Sequence, residues 1–124
     1  MPGNADKLDR IFGLQKAFDD ELARRRGLDY SDAADWMRKG ALALIVETGE
    51  LLSELNYKWW KDARPLDYEK IRGELADILH FFISVCIKAG LDADTLAELY
   101  AGKNRENFDR QSGESERSGE GYKS

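Results

Sequence analysis

The chain has 124 residues and a formal net charge of −5 at pH 7, which argues against a protein whose main partner is nucleic acid. No apolar stretch approaches the roughly 20 residues that a membrane span needs, and the first residues show no secretory signal. The single cysteine, Cys86, lies in an apolar run and has no second cysteine in the chain to pair with, which is typical of a reducing compartment. We therefore expect a small cytoplasmic protein without a membrane or nucleic-acid partner.

Apolar residues recur at intervals of three and four through most of the chain, while strand patterns are nearly absent, so the pattern predicts an all-α fold. The first predicted helix covers about residues 5–26 and ends at Gly27, where glycine suits a left-handed cap. The second is capped by Ser31 or Asp32 and runs to about Tyr57.

The third predicted helix is capped by Asp67, runs to Ala89 and stops at Gly90. The fourth begins near Asp92 and continues towards Phe108. Four to five helices with short connections favour a bundle. We predict one domain over residues 1–111 and a flexible polar tail over residues 112–124, because the tail is rich in Ser, Gly and Glu.

Two pairs of carboxylates lie on the second and third predicted helices, Glu47 with Glu50 and Glu74 with Asp77. Each pair has a spacing of three, so its members share a helix face, and no lysine or arginine lies between them. If the pairs face each other, four carboxylates would raise one another's pKa or collect cations, and Mg²⁺ prefers such oxygen ligands. The pattern predicts a site for two or three Mg²⁺ ions; the alternative is that each pair belongs to a solvated helix face.

Other residues fit a nucleotide ligand. The segment 58–61, Lys-Trp-Trp-Lys, offers rings for stacking on a base and cations for phosphates, although tryptophans that close a core and solvated lysines would give the same pattern. Gln15 lies among apolar positions, where a buried amide needs hydrogen-bond partners. Its partner is either the edge of a pyrimidine base or a neighbouring carbonyl. His80 is a buried structural histidine or a ligand-binding one.

In these residues the chain resembles a known family, the dimeric all-α dUTPases. This family belongs with the MazG-like nucleoside triphosphate pyrophosphatases. The resemblance extends from Leu14 to Gln111. The elements that carry it are residues 12–15, 47–52, 58–61, 74–81 and 103–111. The acidic elements indicate the superfamily, and the remaining ones point to its dUTPase branch.

The resemblance implies an all-α nucleoside triphosphate pyrophosphatase that assembles as a homodimer, uses Mg²⁺ with Mn²⁺ as a possible substitute, and hydrolyses dUTP to dUMP and pyrophosphate. It implies catalytic roles for Glu47 and Glu50, with Glu47 deprotonating a water that attacks the β-phosphorus. The implied metal ligands are Glu47, Glu50, Glu74 and Asp77. The implied substrate-binding residues are Gln15, Trp59 and His80 around uracil, Asn107 at the nucleoside, and Lys103 and Arg110 at the phosphates. The pattern of segment 58–61 adds Lys58 and Lys61 as further cations for the phosphates.

Two alternatives stay open at this point. One is a related pyrophosphohydrolase for another nucleoside triphosphate, such as dGTP or a modified nucleotide, because base choice depends on few contacts. The other is a catalytically silent helical dimer that binds nucleotides or another protein. The sequence also leaves open whether Tyr122 in the tail reaches the site.

Overall fold

The computed structural model describes residues 6–113, which form four α-helices and no β-strand. The helices are α1 (Lys7–Arg26), α2 (Ala33–Ser53), α3 (Tyr68–Lys88) and α4 (Ala93–Ser112). The prediction of an all-α fold with four helices is confirmed. Among the described residues, no helix is both long enough and apolar enough to cross a bilayer.

An aspartate caps the start of every helix. The carboxylates of Asp6, Asp32, Asp67 and Asp92 each accept a hydrogen bond from the backbone N–H three residues further on. At α4, Thr95 completes a capping box with Asp92. Such caps satisfy a backbone donor that the helix leaves free and place negative charge at the positive end of the helix dipole. The predicted starts at Asp32, Asp67 and Asp92 are confirmed.

The end of α2 differs from the prediction, because the helix stops at Ser53 and not near Tyr57. Asn56 adopts a positive φ of 54°, which breaks the helical path. Its side chain donates to the Arg64 carbonyl at 2.8 Å and accepts from the Arg64 N–H at 3.0 Å. This Asn56–Arg64 clasp holds together the two ends of the loop that follows α2.

The helix ends at Gly27 and Gly90 follow the prediction, since both glycines have a positive φ. The fourth helix continues four residues beyond Phe108 and ends at Gly113, which also has a positive φ. Residues 114–124, which include Tyr122, lie outside the described residues. The predicted boundary between domain and tail at residue 111 stays a prediction.

Within the part of the chain up to Gly90, α3 packs against both α1 and α2. Its core includes Phe12, Trp36 and Ile83. At Gly40 the backbones of α2 and α3 approach closely, because a Cβ added there would lie 2.5 Å from a methyl carbon of Val85. Residues from Leu91 onward, which hold α4, form a separate compact unit that we describe by itself.

Cys86 is buried, as predicted, and burial raises the pKa of its thiol.

Candidate active site

The packing of α2 against α3 brings three glutamates together. One carboxylate oxygen from each of Glu47, Glu50 and Glu74 lies within 4.8 Å of the other two. Glu47 and Glu74 are half-buried, whereas Glu50 is exposed. The arrangement follows from spacing and packing: Glu47 and Glu50 share a face of α2, and that face meets Glu74 on α3. We call these three residues the glutamate cluster.

The glutamate cluster lacks compensating charge. Within residues 6–113 no lysine or arginine forms an ion pair with any of its members. One buried oxygen of Glu47 and one of Glu74 have no hydrogen-bond partner. Burial, aided by the neighbouring carboxyl groups of Glu50 and Glu74, raises the pKa of Glu47 to about 7. Unpartnered carboxylate oxygens at this separation fit a hard divalent cation such as Mg²⁺.

Glu54 continues the same stripe of α2 but has a different environment. Its carboxylate lies 3.3 Å from the ammonium group of Lys70, at the start of α3. The lysine neutralises Glu54, so the acidic stripe divides into a paired residue at one end and the unpaired cluster further along.

Asp77, the fourth predicted metal ligand, is exposed one turn after Glu74 on α3 and is not part of the group within 4.8 Å. Its charge contributes to the raised pKa of Glu47, so the two carboxylates are near neighbours. Asp77 also lines a cavity of about 460 Å³ on α1, α2 and α3. It therefore borders both the glutamate cluster and this cavity.

The cavity combines apolar walls with a few polar groups, as ligand sites commonly do. Phe18, Leu22 and Phe81 supply apolar surface, and Gln15 and His80 supply polar groups. A volume of about 460 Å³ is sufficient for a nucleoside. We call it the nucleoside-sized cavity.

A chain of hydrogen bonds lies in the wall of this cavity. Trp36 Nε1 donates to Ser84 Oγ at 2.8 Å, and Ser84 Oγ donates to Asp19 Oδ2 at 2.7 Å. Gln15 Nε2 donates to Asp19 Oδ1 at 2.9 Å, and Gln15 Oε1 lies 2.6 Å from His80 Nδ1. Gln15 is thus buried with partners on both sides of its amide, and one partner is another predicted site residue.

The loop after α2 carries the predicted stacking and phosphate groups. Lys58, Lys61 and Trp60 line a second, open hollow of about 740 Å³. Trp59 is 86% exposed and meets Trp60 edge to face, with 4.7 Å between ring centroids. Neither tryptophan lines the nucleoside-sized cavity. The structure therefore does not bring this loop together with Gln15 and His80.

In α4, Lys103 and Asn107 are exposed, while Arg110 is half-buried. The Arg110 guanidinium pairs with Glu106 and also donates to the Asn107 side chain at 3.3 Å. These three predicted substrate residues belong to the second compact unit, and their roles stay predictions.

The sequence analysis did not single out Asp19, Trp36 or Ser84 as site residues. A signal for two of them is present: Asp19 follows Gln15 by four residues, and Ser84 follows His80 by four, so each pair shares a helix face. A second polar residue one turn from a polar residue in an apolar segment indicates a buried hydrogen-bond partner.

Together, these features define an all-α protein with a cluster of unpaired carboxylates beside a nucleoside-sized cavity. The chain belongs to the all-α dUTPase family: the family model described as dUTPase matches residues 7–92. That stretch contains the glutamate cluster and the whole Trp36 to His80 chain of hydrogen bonds.

Curated relatives include two phage proteins. A dCTP pyrophosphatase of Enterobacteria phage T4 is 30% identical, aligned over 64% of this chain and 61% of the relative. A dCTP pyrophosphatase of Enterobacteria phage LZ5 is 42% identical, over 48% of this chain and 34% of the relative. The matches thus cover less than two thirds of the length of either relative. No solved structure matches the chain significantly.

Proposed function

We propose that this protein hydrolyses a pyrimidine deoxynucleoside triphosphate, dUTP in the first instance, to the monophosphate and pyrophosphate in a Mg²⁺-dependent reaction. The main support for the proposal is the unpaired glutamate cluster. Asp77 lies next to this cluster and also lines the nucleoside-sized cavity. A triphosphate that reached the carboxylates through bound cations could place its nucleoside in that cavity. Membership of the dUTPase family supports the same conclusion.

Glu47, Glu50, Glu74 and Asp77 would hold the metal, since their oxygens are the ligand type that Mg²⁺ prefers. Bound Mg²⁺ would neutralise phosphate charge and lower the pKa of coordinated water. Glu47 accepts a proton from the attacking water, whose oxygen forms a bond to the β-phosphorus. The bond from the β-phosphorus to the oxygen shared with the α-phosphate breaks, so dUMP leaves with that oxygen and pyrophosphate carries the oxygen of the water.

The remaining predicted residues bind the substrate. Gln15 and His80 present hydrogen-bonding groups to the base from the wall of the cavity. Trp59 does not line this cavity, and the role we assign to its exposed ring is stacking on the substrate from the loop after α2. Asn107 contacts the nucleoside. The phosphates require further positive charge, and we assign it to the four predicted cations, Lys58, Lys61, Lys103 and Arg110.

A second candidate substrate is dCTP. Both phage relatives carry the name dCTP pyrophosphatase, and uracil and cytosine have nearly the same size and shape. The choice between them must therefore come from hydrogen bonding at the base edge and not from the volume of the cavity.

We further propose that the protein works as a homodimer in the cytoplasm, with Mn²⁺ able to replace Mg²⁺. Exposed apolar side chains at helical spacing support the dimer: Leu42, Ile45 and Val46 on α2 are each more than half exposed. Burial of such a stripe against a second copy would remove it from water.

The decisive experiment measures pyrophosphate release from a panel of deoxynucleoside and ribonucleoside triphosphates, with Mg²⁺ and then with excess chelator. We expect metal-dependent turnover of dUTP or dCTP and slow turnover of dTTP, UTP and dGTP. Preference for a purine would retain the carboxylate site and refute the pyrimidine assignment. Absence of turnover with every nucleotide would favour a nucleotide-binding protein without catalytic activity.

The position of attack has its own test. Hydrolysis in H₂¹⁸O followed by mass spectrometry should place the label in pyrophosphate and leave the monophosphate unlabelled. Label in the monophosphate would show that water attacks the α-phosphorus and would refute the proposed bond cleavage.

A further inference from the structure

We propose that Asp19 is a positioning residue that fixes the orientation of the Gln15 amide, and that this orientation decides between uracil and cytosine. The inference rests on the proposed function, because it assumes that a pyrimidine base contacts Gln15 and His80. The hydrogen bonds that lead from Trp36 to His80 carry the argument, since each has only one possible direction.

The direction is set first at Trp36. The indole N–H can only donate, so Ser84 Oγ accepts its hydrogen bond at 2.8 Å. The Ser84 hydroxyl hydrogen is then free for Asp19 Oδ2, which lies 2.7 Å away. One oxygen of the Asp19 carboxylate is thereby occupied.

The second oxygen of Asp19 determines which end of the Gln15 amide points towards Asp19 and which points towards His80. A carboxylate only accepts, so the group of Gln15 that lies 2.9 Å from Asp19 Oδ1 must be its NH₂. The amide oxygen consequently faces His80, 2.6 Å from Nδ1. Because that oxygen only accepts, His80 Nδ1 must carry a hydrogen, and in the neutral ring Nε2 is left as an acceptor.

Burial makes this arrangement hard to reverse. Gln15, Asp19 and Ser84 are exposed by only 5%, 3% and 4%. A flipped Gln15 amide would set its oxygen against the Asp19 carboxylate, and the burial of both groups leaves little access to water for compensation. Unmade hydrogen bonds at buried groups are costly, so one orientation of the amide predominates.

The two pyrimidines require opposite orientations of an amide. Uracil presents an acceptor at O4 beside a donor at N3, whereas cytosine presents a donor at N4 beside an acceptor at N3. An amide that is free to rotate can pair with either edge, but an amide held by Asp19 matches one of them in a given pose. Asp19 thus confers base selectivity through the orientation of the Gln15 amide.

The first test requires no variant and no activity. His80 is the only histidine of the chain, so ¹⁵N chemical shifts of the labelled imidazole report its tautomer without assignment. In wild-type protein, at a pH where the ring is neutral, we expect the hydrogen on Nδ1. A neutral ring with its hydrogen on Nε2 would overturn the proposal.

The second test measures kcat/KM for dUTP and dCTP in Asp19→Asn. Ser84 still accepts from Trp36 and must donate to residue 19, so the introduced amide keeps its oxygen on Ser84 and presents its NH₂ to Gln15. This favours the reversed orientation of the Gln15 amide while the shape of the residue 19 side chain is kept. We expect the ratio of the two kcat/KM values to shift by on the order of tenfold towards the base that the wild type disfavours. The ¹⁵N spectrum should show the hydrogen of the neutral ring moved from Nδ1 to Nε2.

Two control variants separate positioning from stability and charge. Ser84→Ala removes bonds to Trp36 and Asp19 but leaves the bond between Asp19 and Gln15, so it should lower stability and keep the base ratio. Asp20→Asn removes a neighbouring exposed charge that is paired with Lys16, and it should keep the base ratio.

The outcomes are distinguishable. If wild-type protein hydrolyses neither dUTP nor dCTP, the proposed function fails, while the tautomer still tests the arrangement around Asp19. If both are hydrolysed and Asp19→Asn leaves the base ratio and the tautomer unchanged, the proposal about Asp19 fails and the proposed function stands. If Asp19→Asn does not fold, the proposal is tested by the tautomer of the wild-type protein and by the base ratio of Ser84→Ala. A base ratio close to one in Ser84→Ala would assign selectivity to core packing and overturn the proposal.

Discussion

Glu50 lies in the last turn of α2 and Glu54 is the residue that caps its end, yet only Glu54 has a lysine beside its carboxylate. This difference makes the two residues a matched pair for mutation, because each variant loses one negative charge at the same end of α2. Only Glu50 belongs to the glutamate cluster.

We predict that Glu50→Gln lowers kcat/KM by at least on the order of 100-fold and weakens Mg²⁺ binding, because it removes a negative charge from the proposed metal site. Glu54→Gln should stay within about twofold of wild type, because it alters an ion pair with an exposed lysine outside the glutamate cluster. Steady-state kinetics and calorimetric Mg²⁺ titrations check both values, and circular dichroism should show the same helix content. Equal losses in the two variants would refute the metal assignment.

The raised pKa of Glu47 predicts how stability depends on pH. Its pKa is about 7 in the folded protein against an ordinary value of 4.5, so the folded state binds the proton more tightly than the unfolded state does. This stabilisation is complete below the unfolded pKa and is lost as pH rises through the folded one. In the presence of chelator, we expect the deprotonation of Glu47 to lower the Tm as the pH rises from about 5 to about 8.

The Glu47→Gln variant supplies the control, because its amide does not titrate and its Tm should decline less over the same range. Added Mg²⁺ should raise the wild-type Tm more at the higher pH, where the cluster is most negative. A wild-type Tm with the same pH dependence as that of the variant would contradict the raised pKa.

At this scale the sequence predicts that Glu47 and Glu50 share a helix face, because a spacing of three within a helix places two side chains on the same side. It does not predict that Glu54 is paired while Glu50 is not, since the partner Lys70 lies on another helix. The spacing of four between Gln15 and Asp19 is a local signal of a partner, but the bond that Asp19 accepts from Ser84, 65 residues away, has no local signal.

At the scale of helices, α2 and α3 can approach each other closely because Gly40 has no side chain. A Cβ at Gly40 would lie 2.5 Å from Val85 Cγ2, whereas a Cβ at Gly49, on the same helix, would have no atom within 4 Å. We predict that Gly40→Ala destabilises the protein by about 1–2 kcal/mol, because overpacking exceeds the gain in helix propensity.

Gly49→Ala is the matched control and should stabilise the protein by about 0.5–1 kcal/mol, since it gains propensity without a clash. Urea unfolding monitored by circular dichroism measures both free energies. A stabilising Gly40→Ala would show that α2 and α3 are not in contact at this point.

Helix starts follow from the sequence more closely than helix ends do. The caps at Asp32, Asp67 and Asp92 depend only on residues within one turn, so local patterns suffice. The end of α2 depends on Asn56 bonding the backbone of Arg64, eight residues further along the chain, and the apolar pattern through Leu55 gives no sign of it.

For the molecule as a whole, the exposed apolar stripe of α2 predicts self-association. Ile45 is 69% exposed and lies one turn from Leu42, which is 63% exposed. In sedimentation velocity we expect wild-type protein at twice the chain mass of 14.1 kDa, and Ile45→Arg at the monomer mass, because a buried unpaired charge is costly. Leu66→Arg, at an exposed apolar residue off this helix, should remain dimeric. Monomeric wild-type protein would refute the dimer.

The Asn56–Arg64 clasp has a consequence for the entropy of ligand binding. A loop with free ends loses conformational freedom in its backbone when its tip orders against a ligand. Here the two ends are joined during folding, so that part of the loss precedes any encounter with a nucleotide. The proposed stacking of a base on Trp59 would then be opposed by a smaller loss of backbone entropy than in a loop with free ends.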